Sequence, residues 1–161
     1  MAILINPNNP AEKNVRDAQE KGREIGLQVF TLTATTEREI ETAFEKLVQQ
    51  HAGALLVNAD AFFTGNRDQI TALAARHRIP AIYAWREFAE AGGLMSYGTS
   101  LADGYRQMGI YVGKVLRGVE PAELPVVQPT RTELVINLKT SKSLGLEIPA
   151  KLLALADAVV E

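Results

Sequence analysis

The sequence predicts one α/β domain built as a three-layer Rossmann-like (flavodoxin-like) fold, a parallel sheet with helices on both faces. Short apolar runs bounded by turn residues alternate with segments of helical period, which reads as strand, helix, strand, repeated. Such alternation requires a parallel sheet covered on both sides. The chain has 161 residues, 47% of them hydrophobic and 22% charged, a size and balance that suit one folded domain and exclude a disordered or fibrous class.

Taken in order, the apolar runs fall at residues 2–5, 27–32, 54–57, 79–84 and 94–95. Between the first two, Asn9 is placed to cap a helix with Pro10 at its first position and Glu12 three residues after the cap. Val15, Ala18, Gly22 and Ile25 form its inner stripe, and Gly26 ends it. In the second helix Thr36 and Glu39 make a capping box, with Ile40, Phe44, Leu47 and Val48 on one face. A third helix is expected over about residues 66–77 with Ile70, Leu73 and Ala74 inward, and Pro80 opens the fourth strand.

Beyond Gly98 the pattern changes. Ser100 and Asp103 can cap a helix whose stripe is Leu101, Tyr105, Met108, Val112, Val115 and Leu116, ending at Gly118. A loop with Pro121, Pro125 and Pro129 follows, since proline restricts the backbone and removes a donor. A strand over 133–137 and short helices over 141–144 and 150–160 close the chain. The expected organisation is a core at 1–98, a helix and Pro-rich loop at 99–131, and a return strand with terminal helices at 132–161.

Several functions are excluded on chemistry. The formal net charge is −2 and the basic residues are scattered, so no stripe follows a phosphate backbone and nucleic acid is not an expected partner. With no cysteine in the chain, disulfides, thiolate metal sites and thiol catalysis are all ruled out. His51 and His77 sit near helix C-termini, away from the expected ligand edge, and no nucleophile–base pair, metal spacing or cofactor signature is present. GIYVGK at residues 109–114 is one residue short of a phosphate loop between its glycines and lies within a helical pattern. A phosphoacceptor domain would need acidic residues after the first strand, where this chain has Asn6 and Asn8. No apolar stretch approaches the roughly 20 residues that span a bilayer. The start lacks an export signal, so the chain as written is expected to stay in the cytoplasm.

Ligands of parallel sheets sit beyond the carboxyl ends of the strands. Those ends supply Asn6 and Asn8 after the first strand, Asp60 and Phe62 after the third, and Tyr83, Trp85 and Glu87 after the fourth. Amides and carboxylates orient a small polar ligand while aromatic faces exclude water from its apolar part. Plainer roles compete at each position. Asn6 and Asn8 serve turns, Asp60 caps the next helix, Phe62 packs a loop, Tyr83 and Trp85 pack beneath a helix, and Arg86 with Glu87 forms a solvated pair at a helix start.

Five segments together carry a resemblance over essentially the whole chain. INPNNP (5–10), NADAFF (58–63), LAARHRIPAIY (73–83), WREFAEAGGLMSYG (85–98) and ELVINLKTSKSLGLEIP (133–149) look like the C-terminal half of ABC-transporter substrate-binding proteins of the tryptophan- and tyrosine-binding type. The resemblance implies one lobe of a type I periplasmic-binding-protein fold, in which two lobes joined by hinge crossings close on a ligand and deliver it to a permease. Ser96, Tyr97, Gly98 and Asn137 fall on the implied hinge. The resemblance implies full-length members that are about twice as long and work in the periplasm or anchored outside the membrane, and this sequence is expected to be the lobe without their N-terminal half and signal. The expected partners are a small amino-acid-like or aromatic ligand, a permease through the full-length receptor, and either the N-terminal lobe or a second copy. Without either, the helix after Ser100 is expected to pack on this lobe in a new way or exchange with a second copy. The alternative reading is an isolated or engineered half that self-associates as a homodimer. Neither reading is enzymatic.

Overall fold

A computed structural model describes the chain apart from Ala11, Pro129 and Thr130, with the backbone alone described over residues 12–14. One seven-stranded sheet in the order β2-β1-β3-β4-β5-β6-β7 forms the middle layer. β1 (Ala2–Ile5), β2 (Phe30–Thr33), β3 (Leu55–Val57), β4 (Ala81–Tyr83) and β5 (Met95–Thr99) run parallel. β6 (Thr132–Asn137) is antiparallel to β5, and β7 (Ala158–Val160) is parallel to β6. The sheet is therefore parallel where the alternation demanded it and reversed at one end. The reversal follows from the excursion over residues 100–131, which returns the chain to the edge it left.

α4 (Arg67–Arg76) packs against both α2 (Glu37–Gln49) and α5 (Arg86–Glu90). Right-handed crossover then puts α1 (Glu12–Glu24), whose connection runs the other way along the sheet, on the opposite face. The main core lies under α2, α4 and α5, where Leu4, Leu32, Leu55, Val57 and Tyr83 of the strands meet Ile40, Phe44, Leu47, Ile70 and Phe88. In α2 Thr36 accepts from the Glu39 backbone N–H at 3.2 Å, while the Glu39 carboxylate returns to Thr35. Ile40, Phe44 and Leu47 are buried, and Val48 is exposed.

Four elements depart from expectation. The first helix ends at Glu24, so Ile25 lies outside the inner stripe at 73% exposure and Leu27 is also exposed. Gly22 explains this: a Cβ there would lie 2.4 Å from a Val29 methyl, so the chain doubles back across it before β2 begins at Phe30. Asn9 donates its amide to the Ala59 carbonyl and the Asp60 carboxylate, across the sheet edge; the proposed cap–Glu12 relation lies outside the described side chains, as the proline loop does at Pro129. The third helix is two, α3 (Ala61–Gly65) and α4, which meet at Asn66. The last predicted helix is only α8 (Ala150–Leu153), followed by β7. Asp157 pins that strand to β6, its N–H donating to Leu134 O at 2.8 Å and its carboxylate accepting from Leu134 N–H at 2.9 Å.

α7 (Leu138–Leu144) begins at Asn137, whose side-chain oxygen accepts from Thr140 N–H at 2.9 Å. α6 (Leu101–Leu116) is capped by Ser100 as expected, and GIYVGK lies in and ends within its helical turns. No residue of α6 is buried. Tyr105, Met108, Val112, Val115 and Leu116 are 40–82% exposed, so the expected repacking of this helix onto the lobe does not occur. No helix among the described residues is long and apolar enough to cross a membrane.

Candidate functional site

The carboxyl ends of β1 and β3 are tied together by one carboxylate. Asp60 is 7% exposed and caps α3, accepting from Phe62 N–H at 2.8 Å and Phe63 N–H at 3.3 Å. Asn6 donates to both of its oxygens at 3.2 and 3.3 Å, and Asn9 donates at 2.9 Å. The Asn8 N–H in turn donates to Asn6 Oδ1 at 3.0 Å, leaving the Asn8 side chain at the surface. This is the local turn chemistry of short polar residues, organised around a negative charge. It brings Asn6, Asn8, Asp60 and Phe62 to one point of the edge, with Phe62 partly buried on the core.

The β4 end divides its residues differently. Tyr83 is 2% exposed, and its ring stacks on Phe88 at 4.6 Å. Its hydroxyl is buried with no hydrogen-bond partner, and burial raises its pKa well above the ordinary phenol value. Tyr83 belongs to the core, and the ligand contact expected of it is corrected to a packing role. Trp85 lies beyond the strand as the residue preceding α5 and is partly buried on the same core as Phe62. Glu87 is half-buried one residue into that helix, with one carboxylate oxygen buried and donorless.

The residues expected at a hinge lie where β5 pairs with β6. Ser96 is 1% exposed, Tyr97 is exposed, and Gly98 stands opposite Glu133 in the antiparallel pair. A Cβ on Gly98 would lie 2.0 Å from the Ala84 carbonyl oxygen, so only glycine allows β5 this close to the end of β4. Asn137, at the far end of β6, donates its amide to Ala89 O at 2.9 Å. The strands that leave for α6 and return from it are thus neighbours in the sheet.

Beside this crossing lies a cavity of about 220 Å³ lined by Arg86, Ser100, Asp103, Arg131 and Glu133. Arg86 is more than a solvated partner of Glu87. Its Nε donates to Glu90 at 2.9 Å and its Nη1 to Glu133 at 3.0 Å, joining α5 to β6. The Glu90 bond is the first cause holding the guanidinium above its ordinary pKa. The sequence reading gives Ser100 and Asp103 only a capping role and Glu133 only a strand, and it gives Arg131 no role beyond closing the Pro-rich loop segment. The signal that could have found them is topological: a long excursion leaving and re-entering one sheet edge must bring Ser100 and Glu133 together.

A family model described as ABC transporter substrate binding protein matches residues 1–160. No curated protein matches the chain. Several solved structures share its fold. A conserved domain protein from Vibrio cholerae O1 biovar El Tor has 21% identity and a TM-score of 0.85, over 98% of this chain and 53% of that one. An ABC domain from Streptococcus pneumoniae, solved in complex with L-Trp, has 23% identity and a TM-score of 0.86, over 99% and 54%. A ligand-free, open substrate-binding protein with adhesive properties from Clostridium difficile has 23% identity and a TM-score of 0.68, over 99% and 53%. The chain spans about half the length of each of these structures.

Proposed function

The chain belongs to the ABC transporter substrate-binding protein family, and from that premise we propose that it is a solute-binding lobe for a small amino-acid-like or aromatic ligand. One observation carries the reading: the ends of β1 and β3 are bonded through Asp60 into a polar corner, and Phe62 and Trp85 pack against the same core. A preformed edge of fixed polar groups and aromatic faces suits recognition without chemistry. In this reading Asn6, Asn8, Asp60, Phe62, Trp85 and Glu87 line half of an interlobe cleft, Ser96, Tyr97, Gly98 and Asn137 belong to the hinge, and no bond is made or broken. The two-lobed receptor would hand its ligand to a membrane permease from the periplasm or an extracytoplasmic anchor.

The test is an NMR titration of the isotopically labelled chain with amino acids and aromatic acids, L-Trp included because the S. pneumoniae relative was solved with it. Trp85 is the chain's single tryptophan, so its indole N–H is one assignable probe. The reading expects saturable shifts at residues 6–9, 58–63 and 85–87, lost in Phe62→Ala. A panel that shifts none of these signals, or shifts them equally in the variant, would sink it.

A second reading is a homodimer in which two copies stand in for two lobes. The exposed apolar stripe of α6 favours it. Sedimentation equilibrium decides: a concentration-dependent dimer abolished by Met108→Gln with Val112→Gln supports the reading, and a monomer at all concentrations rejects it.

A further inference from the structure

The surface of this chain is larger than its mass requires. A compact monomer of 17.5 kDa exposes about 7,900 Å², whereas this chain exposes 10330 Å². The excess is about three times the roughly 800 Å² that each partner contributes to a standard interface. α6 accounts for part of it, since none of its residues is buried.

Helical geometry puts the exposed apolar groups of α6 on a defined side. At about 100° per residue, Tyr105, Met108, Val112 and Leu116 share one arc with Gly109 and Gly113, and the charged residues Asp103, Arg106, Lys114 and Arg117 lie outside it. The segment after the helix covers the opposite side: the Tyr111 hydroxyl donates to the Pro125 carbonyl, and the Lys114 ammonium lies 5.6 Å from the centre of the same ring. The apolar arc therefore faces away from the chain's own covering segment.

The two glycines state how closely a partner comes. Glycine inside a helix is less favourable than alanine, because it has more backbone freedom to lose on folding. A Cβ at Gly109 or Gly113 would meet nothing within 4 Å, so nothing in the single chain uses their missing side chains. A second backbone brought against them would use them, since glycine lets main chains approach without an intervening Cβ. An arc without charge is also complementary to itself. A second copy covers it without burying an unpaired charge, and a two-fold axis presents the same surface from each chain.

We propose that α6 of one chain packs against α6 of a second copy about a two-fold axis, the backbones meeting at Gly109 and Gly113 with Met108 and Val112 flanking the contact. This pairing rests on the homodimer reading and names the contact that such a dimer uses.

The experiment measures the dimer dissociation constant of the full chain by sedimentation equilibrium, for wild type and for Gly109→Ala, Gly113→Ala and Gly104→Ala, with helix content followed by circular dichroism. The expected result is a wild-type dimer whose Kd rises at least about tenfold in Gly109→Ala and in Gly113→Ala, while both variants keep or increase the helicity of the dilute monomer. Gly104 lies in the same helix outside the arc and also has room for a Cβ, so Gly104→Ala should leave Kd unchanged. A Kd that is unchanged or tighter in the Gly109 and Gly113 variants overturns the α6 contact and leaves the homodimer reading standing. A Kd raised equally by all three substitutions reports a general effect on the helix and overturns the contact as well. A chain that is monomeric at every concentration overturns both the contact and the homodimer reading.

Discussion

Tyr83 shows how one residue can be legible in kind and misread in role. An aromatic two positions before Trp85 suggested a shared strand face, yet β4 stops at Tyr83 and Trp85 already belongs to the entry of α5. The period of two applies only while the strand lasts. Asp60 was readable either as a cap or as a ligand contact, and it caps; the two asparagine amides that also hold it depend on β1 and β3 being adjacent, which single residues do not announce. The buried Tyr83 hydroxyl has no partner, so Tyr83→Phe should raise stability by about 1 kcal/mol. Burial raises the folded-state pKa, whereas the unfolded chain titrates near the ordinary value of about 10. Below that pH both states keep the proton. Above it the unfolded state loses the proton first, so the wild type loses stability as pH rises. Urea midpoints measured between pH 8 and 11 should therefore fall more steeply for wild type than for Tyr83→Phe; parallel curves would refute this.

Elements were legible where their signals were local and lost where a tertiary bond set the boundary. The Thr36 and Ser100 caps open α2 and α6 as expected, because a cap is a contact between near neighbours. β7 was read as helix, since Ala150 to Val160 holds good helix formers and its strand state depends on a partner at Leu134. That dependence is testable by pH. The Leu134 N–H, first among its causes, holds the Asp157 carboxyl below the ordinary carboxylate range. A depressed folded pKa stabilises above the unfolded value of about 4 and is lost as pH falls through the folded one. Amide-exchange protection at residues 134 and 158–160, corrected for intrinsic rates, should thus decline between pH 5 and 2 more than at β1 or β3, and Asp157→Asn should show low protection throughout. Uniform behaviour of all strands would show that β7 is held without this carboxylate.

At the scale of the molecule, α6 and the strap that follows it join the lobe through two adjacent strand ends, Thr99 and Thr132, which pair across β5 and β6. The helix keeps its apolar stripe uncovered, and the related structures are about twice as long as this chain. In the proposed reading a second lobe or a second copy completes the binding surface. If a two-lobed receptor holds its ligand with a Kd of about 1 μM, its binding free energy is roughly −8 kcal/mol. An even division of contacts leaves roughly −4 kcal/mol for one lobe, or a Kd of about 1 mM. The loss of ligand translational and rotational freedom does not halve with the contacts, so the single lobe should bind no more tightly than that. Titrating L-Trp into dilute chain and, in parallel, into the S. pneumoniae protein should show a gap of at least about a thousandfold if the latter binds at about 1 μM. If the affinity of the chain tightens as protein concentration rises, a second copy is supplying the missing contacts and the homodimer reading gains. Affinity equal to that of the two-lobed protein at every concentration would mean that this lobe carries the whole site, and the division of the cleft between two lobes would have to be abandoned.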